Sequence, residues 1–250
     1  MNNEENIMKN KVGWNAIADD WFGSTALPEY GPTLPKEDTL GLFGDLNSKK
    51  ILDIGCGSGH SLLYNAKKGA AELWGLDLSS KQVENAKELL AENNLSANLF
   101  VSPMEENPGI PTDYFDIVYS IYAFGWTFDL KKSIGLVHKY LIPSGTFIFS
   151  WDNPIMQCIN AENGKYVIFR SYLDEAEIEM VKARQSMIIR NWKLSSYINE
   201  LSSAGFKVEK LIEETDVDIL SQEQEFTMKY YSRHKAKFIN TSFILKATKL

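Results

Sequence analysis

Residues 51–59 read Ile-Leu-Asp-Ile-Gly-Cys-Gly-Ser-Gly. An apolar run carries an acid, Asp53, and glycines then stand at the alternate positions Gly55, Gly57 and Gly59. A helical pattern starts directly after them, with Leu62, Leu63 and Ala66 on one face. A strand that ends in such a loop brings bare backbone close to a ligand, because a Cβ there would collide with it. A second acid, Asp77, closes the next apolar run. An acid at the end of a second strand can accept hydrogen bonds from a pair of ribose hydroxyls. The chemistry to expect is therefore capture of a nucleoside-containing ligand by backbone amides and carboxylates.

Two ligand classes use a glycine loop after a first strand. Nicotinamide dehydrogenases want G-x-G-x-x-G/A. Counted from Gly55, the sixth position is His60, so that spacing fails. The spacing here is G-x-G-x-G preceded by Asp53, and with Asp77 it resembles motif I of the class I S-adenosylmethionine (SAM)-dependent methyltransferases. The resemblance covers Lys50 to Trp151 and, more loosely, the last two strands. It implies SAM as cofactor and S-adenosyl-L-homocysteine as product. It implies that the loop of Gly55, Cys56, Gly57 and Gly59 lies beside the methionine part of SAM, with Asp53 organising that loop. Asp77, followed by Leu78, would take the ribose; the rival reading of Asp77 is a turn or cap acid.

After the third strand the family often places an Asp on the adenine amino group. This chain has Ser102-Pro103-Met104-Glu105, with Met104 near that position. Adenine would then be held by backbone groups and by Met104 packing on its face. Glu105 is either the polar contact or solvent-facing. In the family the residues after strand four lie under the transferred methyl. Here they are Ser120-Ile121-Tyr122 and Ala123-Phe124-Gly125-Trp126-Thr127-Phe128. Ser120 is expected at the cofactor, Tyr122 and Trp126 in the acceptor pocket, and Tyr119 in the core. His60, first after the glycines, faces the cofactor or is a packed first-turn residue. No residue stands out as a general base.

These residues need elements to position them. Apolar runs at 51–54, 72–77, 97–101, 115–121 and 146–151 alternate with helical patterns that start near His60, after Ser79 and after Asp129. Ser79 with Gln82 has the form of a capping box. Residues 173–190 are expected to be an amphipathic helix and 193–204 a further helix ending at Gly205. Residues 206–212 and 238–249 are expected as two late strands. Such alternation predicts a doubly wound, mostly parallel, seven-stranded Rossmann-like sheet with helices on both faces. The chain is expected to form one domain. Residues 1–48 would be an N-terminal cap, 49–151 the SAM-binding core, 152–192 an inserted substrate cap and 193–250 the last helix and two strands.

Residues 1–10 are expected to be loose, and residues 11–26, with Trp14, Ile17, Ala18 and Trp21, helical. Residues 1–36 are expected to cover the acceptor side without being needed for the sheet. Trp14, Trp21, Tyr30, Tyr166, Phe169 and Tyr172 are lid candidates, each weighed against ordinary packing.

Of 250 residues, 44% are hydrophobic and 24% charged, as in ordinary globular proteins. Two cysteines cannot build a disulfide framework, and the N-terminus is polar, so a cytoplasmic protein is expected. No apolar run spans a bilayer. A net charge of −7 with no long Lys/Arg run argues against a nucleic-acid or membrane-surface partner. No metal-ligand spacing and no Gly-x-Ser-x-Gly elbow appear, so no metal and no covalent catalysis are expected. A small-molecule methyl acceptor and a monomer or homodimer remain. The alternatives are a non-catalytic SAM-binding or partner-activating protein and, more remotely, a nicotinamide oxidoreductase.

Overall fold

Ile51 and Leu52 are adjacent and both fully buried. Successive strand side chains point to opposite faces, so a strand buried on both sides must lie inside a sheet covered by two layers. The computed structural model, which describes residues 2–250, shows that arrangement. The chain opens with α1 (Asn3–Ile17) and α2 (Glu37–Leu40), then enters β1 (Lys50–Ile54), α3 (His60–Lys67), β2 (Glu72–Asp77) and α4 (Ser80–Glu92). β3 (Asn98–Val101), β4 (Phe115–Ile121), α5 (Leu130–Tyr140) and β5 (Leu141–Asp152) complete the parallel part. Two hairpins follow, β6 (Ile159–Glu162) with β7 (Lys165–Ile168) and β8 (Glu177–Lys182) with β9 (Gln185–Arg190). The chain ends through α6 (Leu194–Ser203), β10 (Phe206–Ile212), α7 (Val217–Ser221), α8 (Arg233–Ala236) and β11 (Ser242–Lys249).

Seven strands make one sheet in the order β3-β2-β1-β4-β5-β11-β10. The first five are parallel, and β11 is antiparallel to both β5 and β10. The order reverses at β1, and ligands of such sheets bind in the crevice outside the carboxyl ends there. One face packs Leu52, Ile54 and Val118 against Ile134 and Val137 of α5 and Tyr197 and Leu201 of α6. The other packs Ile51, Ile117 and Tyr119 against Leu62 and against Leu27, Tyr30, Leu34, Leu42, Phe43 and Leu46.

The second layer corrects one expectation. Residues 27–46 are core, not a detachable cover. Buried Glu37 organises them by accepting hydrogen bonds from the Tyr30 hydroxyl and from the amides of Leu42 and Phe43. The N-terminus differs as well: α1 begins at Asn3, because Asn2 and Glu5 form a reciprocal capping box. At Ser79 the hydroxyl does accept from the Gln82 amide, which is half of such a box.

Residues 173–190 are not a helix. They form the β8–β9 hairpin, turned at Ala183 and Arg184, both with positive φ (44° and 68°). Paired positive φ values match the right-handed twist of the strands they join. Ile178, Met180 and Lys182 point inward, and Glu177, Glu179 and Val181 are exposed. Glu, Met, Ala and Lys favour helices, and here tertiary packing overrides them. At the ends of two other strands, β5 starts at Leu141 rather than Thr146, and β11 starts at Ser242. No helix among the described residues is long and apolar enough to cross a membrane.

Candidate active site

One cavity of about 380 Å³ runs across the carboxyl ends of the five parallel strands. Its floor follows the sheet: Met104 and Glu105 after β3, Asp77 and Leu78 at β2, Asp53 to Gly57 at β1, Tyr122 and Ala123 after β4, and Asp152 at β5.

The three glycines have three different duties. All have positive φ. A side chain at Gly55 would overlap the Ala123 methyl, so Gly55 lets the loop lie against the end of β4. A Cβ at Gly59 would come within 3.0 Å of Ala86 Cβ, so Gly59 lets α3 start close to α4. A Cβ at Gly57 would meet only Gln82 Oε1, at 4.0 Å. Gly57 alone faces open space, and that space is the cavity. Cys56 is buried between them, its amide donating to Leu76 O.

Asp77 accepts from the Gly57 amide at 2.9 Å through Oδ2 and from the Ser79 amide at 2.8 Å through Oδ1. It thus fixes the loop and the start of α4 together. A carboxylate has about four acceptor positions, so two remain for a ligand. Burial, opposed by these backbone amides, pushes its carboxyl up to about 6. Asp53 is buried more completely still. Burial raises its carboxyl well above the ordinary range, with the Tyr119 hydroxyl opposing and Asp77 reinforcing the shift. Its Oδ1 has no hydrogen-bond partner among the described residues.

The other expected site residues fall into two groups. Met104, Leu78, Tyr122, Trp126 and His60 line the cavity. His60 packs edge-on against Phe22 and shares a 3.0 Å hydrogen bond with Ser58 Oγ. Glu105 also reaches the wall, but it is buried, and its Oε1 accepts from Thr127 Oγ1 and the Phe128 amide. It ties the β3 side to the loop after β4 and is not solvent-facing. Ser120 does not reach the cavity: its hydroxyl is buried and donates to Ile54 O, pinning β4 to β1. Of the lid candidates, Trp14 and Trp21 line the cavity. Tyr30 is core, Tyr166 packs on His234 and Phe226, Phe169 is exposed, and the Tyr172 hydroxyl accepts from the Leu194 amide.

The roof is composite. α1 lies on β9, where the Asn10 side chain pairs with Ile188 like a strand: Nδ2 donates to the carbonyl and Oδ1 accepts from the amide. Residues 23–27 are pinned on the start of α3, since the Gly23 amide donates to Ser58 Oγ and the Leu27 amide to Ser61 Oγ.

The β5 end of the cavity holds groups that the sequence did not single out. Asp152 is buried and accepts from the hydroxyls of Tyr122 and Tyr231. Tyr122 also shares a 2.8 Å hydrogen bond with Ser242 Oγ. Burial pushes the Asp152 carboxyl up to about 6, against the tyrosines and the positive charge of Lys182. The signal available in the sequence was an acid closing the fifth strand, Trp151-Asp152. Tyr231 and Lys182 arrive from distant segments and carried no such signal.

The family described as "Methyltransferase domain" matches residues 52–149. This segment holds the glycine loop, Asp77 and the carboxyl ends of β1 to β4 that line the cavity. Over residues 52–149 the chain is therefore similar to methyltransferase domains. It is similar over 205 residues, at 29% identity, to an uncharacterized protein of Haemophilus influenzae, covering 77% of this chain and 81% of that one. It is 28% identical over 149 residues to a malonyl-[acyl-carrier protein] O-methyltransferase of Hamiltonella defensa, covering 58% of this chain and 55% of that one. Its fold matches that of a SAM-dependent methyltransferase from Mesorhizobium loti with a TM-score of 0.70 at 22% identity, over 85% and 96% of the two chains. The residues of this site fit SAM: the bare backbone at Gly57 and the remaining acceptor positions of Asp77 lie on one cavity, and Asp53 lines the same wall.

Proposed function

We propose that this methyltransferase methylates an O, N or C atom of a small molecule bound at the β5 end of the cavity. One observation carries this reading. The same cavity is lined both by the cofactor residues and by Trp14, Trp126, Trp151, Asp152 and Tyr231, and we take the part bounded by the latter as the acceptor chamber. A non-catalytic SAM-binding module has no use for that chamber.

SAM supplies a methyl group on a sulfonium, already activated for displacement. The protein's residues then have three tasks. Asp77 and the Gly57 backbone hold the nucleoside side, with Met104 packing on the base. Tyr122 and Ala123, at the end of β4, form the floor where donor and acceptor meet. The left-handed backbone of Tyr122 (φ 57°) is held by its amide, which donates to Ser150 O. Strain of this kind, held by surrounding structure, clusters at functional sites.

Asp152 is the group suited to the acceptor's proton. It faces the chamber, and above about pH 6 it is ionised. A base is most effective when its pKa lies near the working pH. Tyr122 and Tyr231 fix its orientation by donating to it. The tryptophans exclude water, which strengthens every electrostatic contact inside. Residues 2–26 and 152–192 act together as the cap over this chamber.

The test is production of S-adenosylhomocysteine from SAM against a panel of small acids, amines and phenols. Turnover with at least one class, lost in Asp152→Asn for acceptors that must shed a proton, supports the reading. SAM binding with no turnover across the panel argues for a binding module instead.

A further inference from the structure

Lys182 stands where the β8 pattern calls for an apolar residue. Ile178 and Met180 precede it on the inward face, and the tight Ala183–Arg184 turn fixes its position at the hairpin tip. Its ammonium lies 5.4 Å from the Trp14 ring, 4.9 Å from Trp21 and 5.4 Å from Trp126. Trp14 packs on Trp21 at 6.2 Å and meets Trp126 edge to face at 5.2 Å, so the three rings around the ammonium form a braced cage, and Trp126 continues to Trp151 at 5.9 Å. Among the described residues, Lys182 Nζ has no hydrogen-bond or ion-pair partner. Asp152 is the acid whose charge it feels, but that carboxylate is engaged by Tyr122 and Tyr231.

Aromatic faces attract a cation, yet they offer its N–H groups no acceptor. The half-buried ammonium keeps its three donors free, and the side of it that opens to the cavity can take an acceptor there. Lys182 lines the cavity, so the partner can come from there. The cofactor's sulfonium is itself positive, which makes a second cation beside the reacting centre unfavourable unless an anion accompanies it.

We propose that Lys182 is the specificity-determining residue of the acceptor chamber, and that it selects an acceptor bearing a carboxylate or phosphate. This rests on the methyltransferase reading above. The anion pairs with Lys182 under the tryptophan cage, its carbon skeleton lies on the Trp126 and Trp151 rings, and the atom to be methylated faces Asp152. A lysine suits this task because an ammonium on a flexible stem can follow either anion as a point charge. The methionyl carboxylate of the cofactor is a second source of the same chemistry, and the experiment separates the two.

The protein is first titrated with S-adenosylhomocysteine, and the loaded protein is then titrated by tryptophan fluorescence with benzoate, phenyl phosphate, benzamide and benzylamine. Loaded wild type is expected to bind benzoate or phenyl phosphate about ten- to a hundred-fold more tightly than benzamide, the range of a charge-assisted hydrogen bond. Lys182→Met should erase that preference, Lys182→Arg should retain it, and both should bind S-adenosylhomocysteine as wild type does. A wild-type far-UV spectrum and melting transition report separately that the variants are folded. Equal binding of benzoate and benzamide, binding of neither anion, a preference for benzylamine, or a preference that survives in Lys182→Met overturns the proposal. Loss of S-adenosylhomocysteine affinity in Lys182→Met also overturns it, assigning the lysine to the cofactor carboxylate. If wild type fails to bind S-adenosylhomocysteine at all, the methyltransferase reading itself has failed.

Discussion

Ser79 Oγ donates to Asn15 Oδ1 at 2.7 Å, while the Ser79 amide donates to Asp77 Oδ1 at 2.8 Å. One residue therefore joins α1 of the cap to the acid at the end of β2. A ligand held by Asp77 steadies Ser79 and, through it, α1. Lys9 and Lys11 offer trypsin sites in α1. S-adenosylhomocysteine is expected to slow cleavage there in wild type. In Asn15→Ala most of that protection should vanish, because locally stable segments lose protection when their few anchoring bonds go. Equal protection in both proteins would show that the cap does not sense the cofactor site.

Gly55 and Gly57 differ in what a side chain would meet, and substitutions should separate them. Gly55→Ala drives a methyl into Ala123 and should destabilise the fold, seen as a lower melting temperature. Gly57→Val faces the cavity, so its cost to the fold is mainly that of a positive φ, roughly 1–2 kcal/mol. It should retain the wild-type far-UV spectrum and lose S-adenosylhomocysteine binding. Normal binding by Gly57→Val would mean that this glycine serves only the turn.

Asp152 gives a pH test with a definite sign. Its folded-state value, about 6, is raised above the ordinary carboxylate value. Its contribution to stability is thus fully present below the ordinary value and is lost as pH rises through about 6. Asp152→Asn removes that loss while leaving Tyr231 an acceptor. The variant should melt above wild type at pH 8, by on the order of 3 kcal/mol at most, with the gap closing toward pH 4. Asp77 shifts in the same direction but is present in both proteins, so it cancels. A variant less stable than wild type at pH 8 would show that the Tyr122 and Tyr231 hydrogen bonds outweigh the burial of the charge.

The two parts of the N-terminal segment should behave differently when removed. Deleting residues 1–19 removes α1 and the cap anchors but leaves Leu27, Tyr30, Leu34, Leu42 and Phe43 on the sheet. That form should stay folded and bind S-adenosylhomocysteine weakly. Deleting residues 1–44 strips one face of the core and should leave no cooperative thermal transition. Each large core side chain contributes on the order of 2–5 kcal/mol, and folding rests on a margin of about 5–15. A cooperative melt of the shorter form would return residues 27–44 to the status of an appendage.

The parallel core was legible because its signals are local. Asp53, the glycines and Asp77 sit within one strand-helix-strand unit, and their spacing is set by backbone geometry alone. The same holds for β2 and β4, whose apolar runs mark their ends. The cap was read poorly for the opposite reason. Glu177 to Arg190 has helix-favouring residues, and only the pairing of Ile178 with Ile189 and the packing of α1 on β9 make it a hairpin. Glu105 illustrates the same limit at the site. Its burial depends on Thr127 and Phe128, which come from another crossover. Ser120 lies on the strand expected to feed the cofactor, but its register turns the hydroxyl to Ile54 O. Lys182 reaches the cavity that Asp152 lines only through the hairpin.

Titration calorimetry with S-adenosylhomocysteine and, separately, NAD decides which cofactor the glycine loop and Asp77 hold. One-site binding of S-adenosylhomocysteine and no binding of NAD are expected. Asp77→Ala should weaken that binding about ten- to a hundred-fold, the range of hydrogen bonds to a charged group. Wild-type affinity should also fall as pH drops through about 6, because ligand hydroxyls donate to the ionised carboxylate. Binding of NAD instead, or S-adenosylhomocysteine affinity indifferent to both Asp77→Ala and pH, would contradict that assignment.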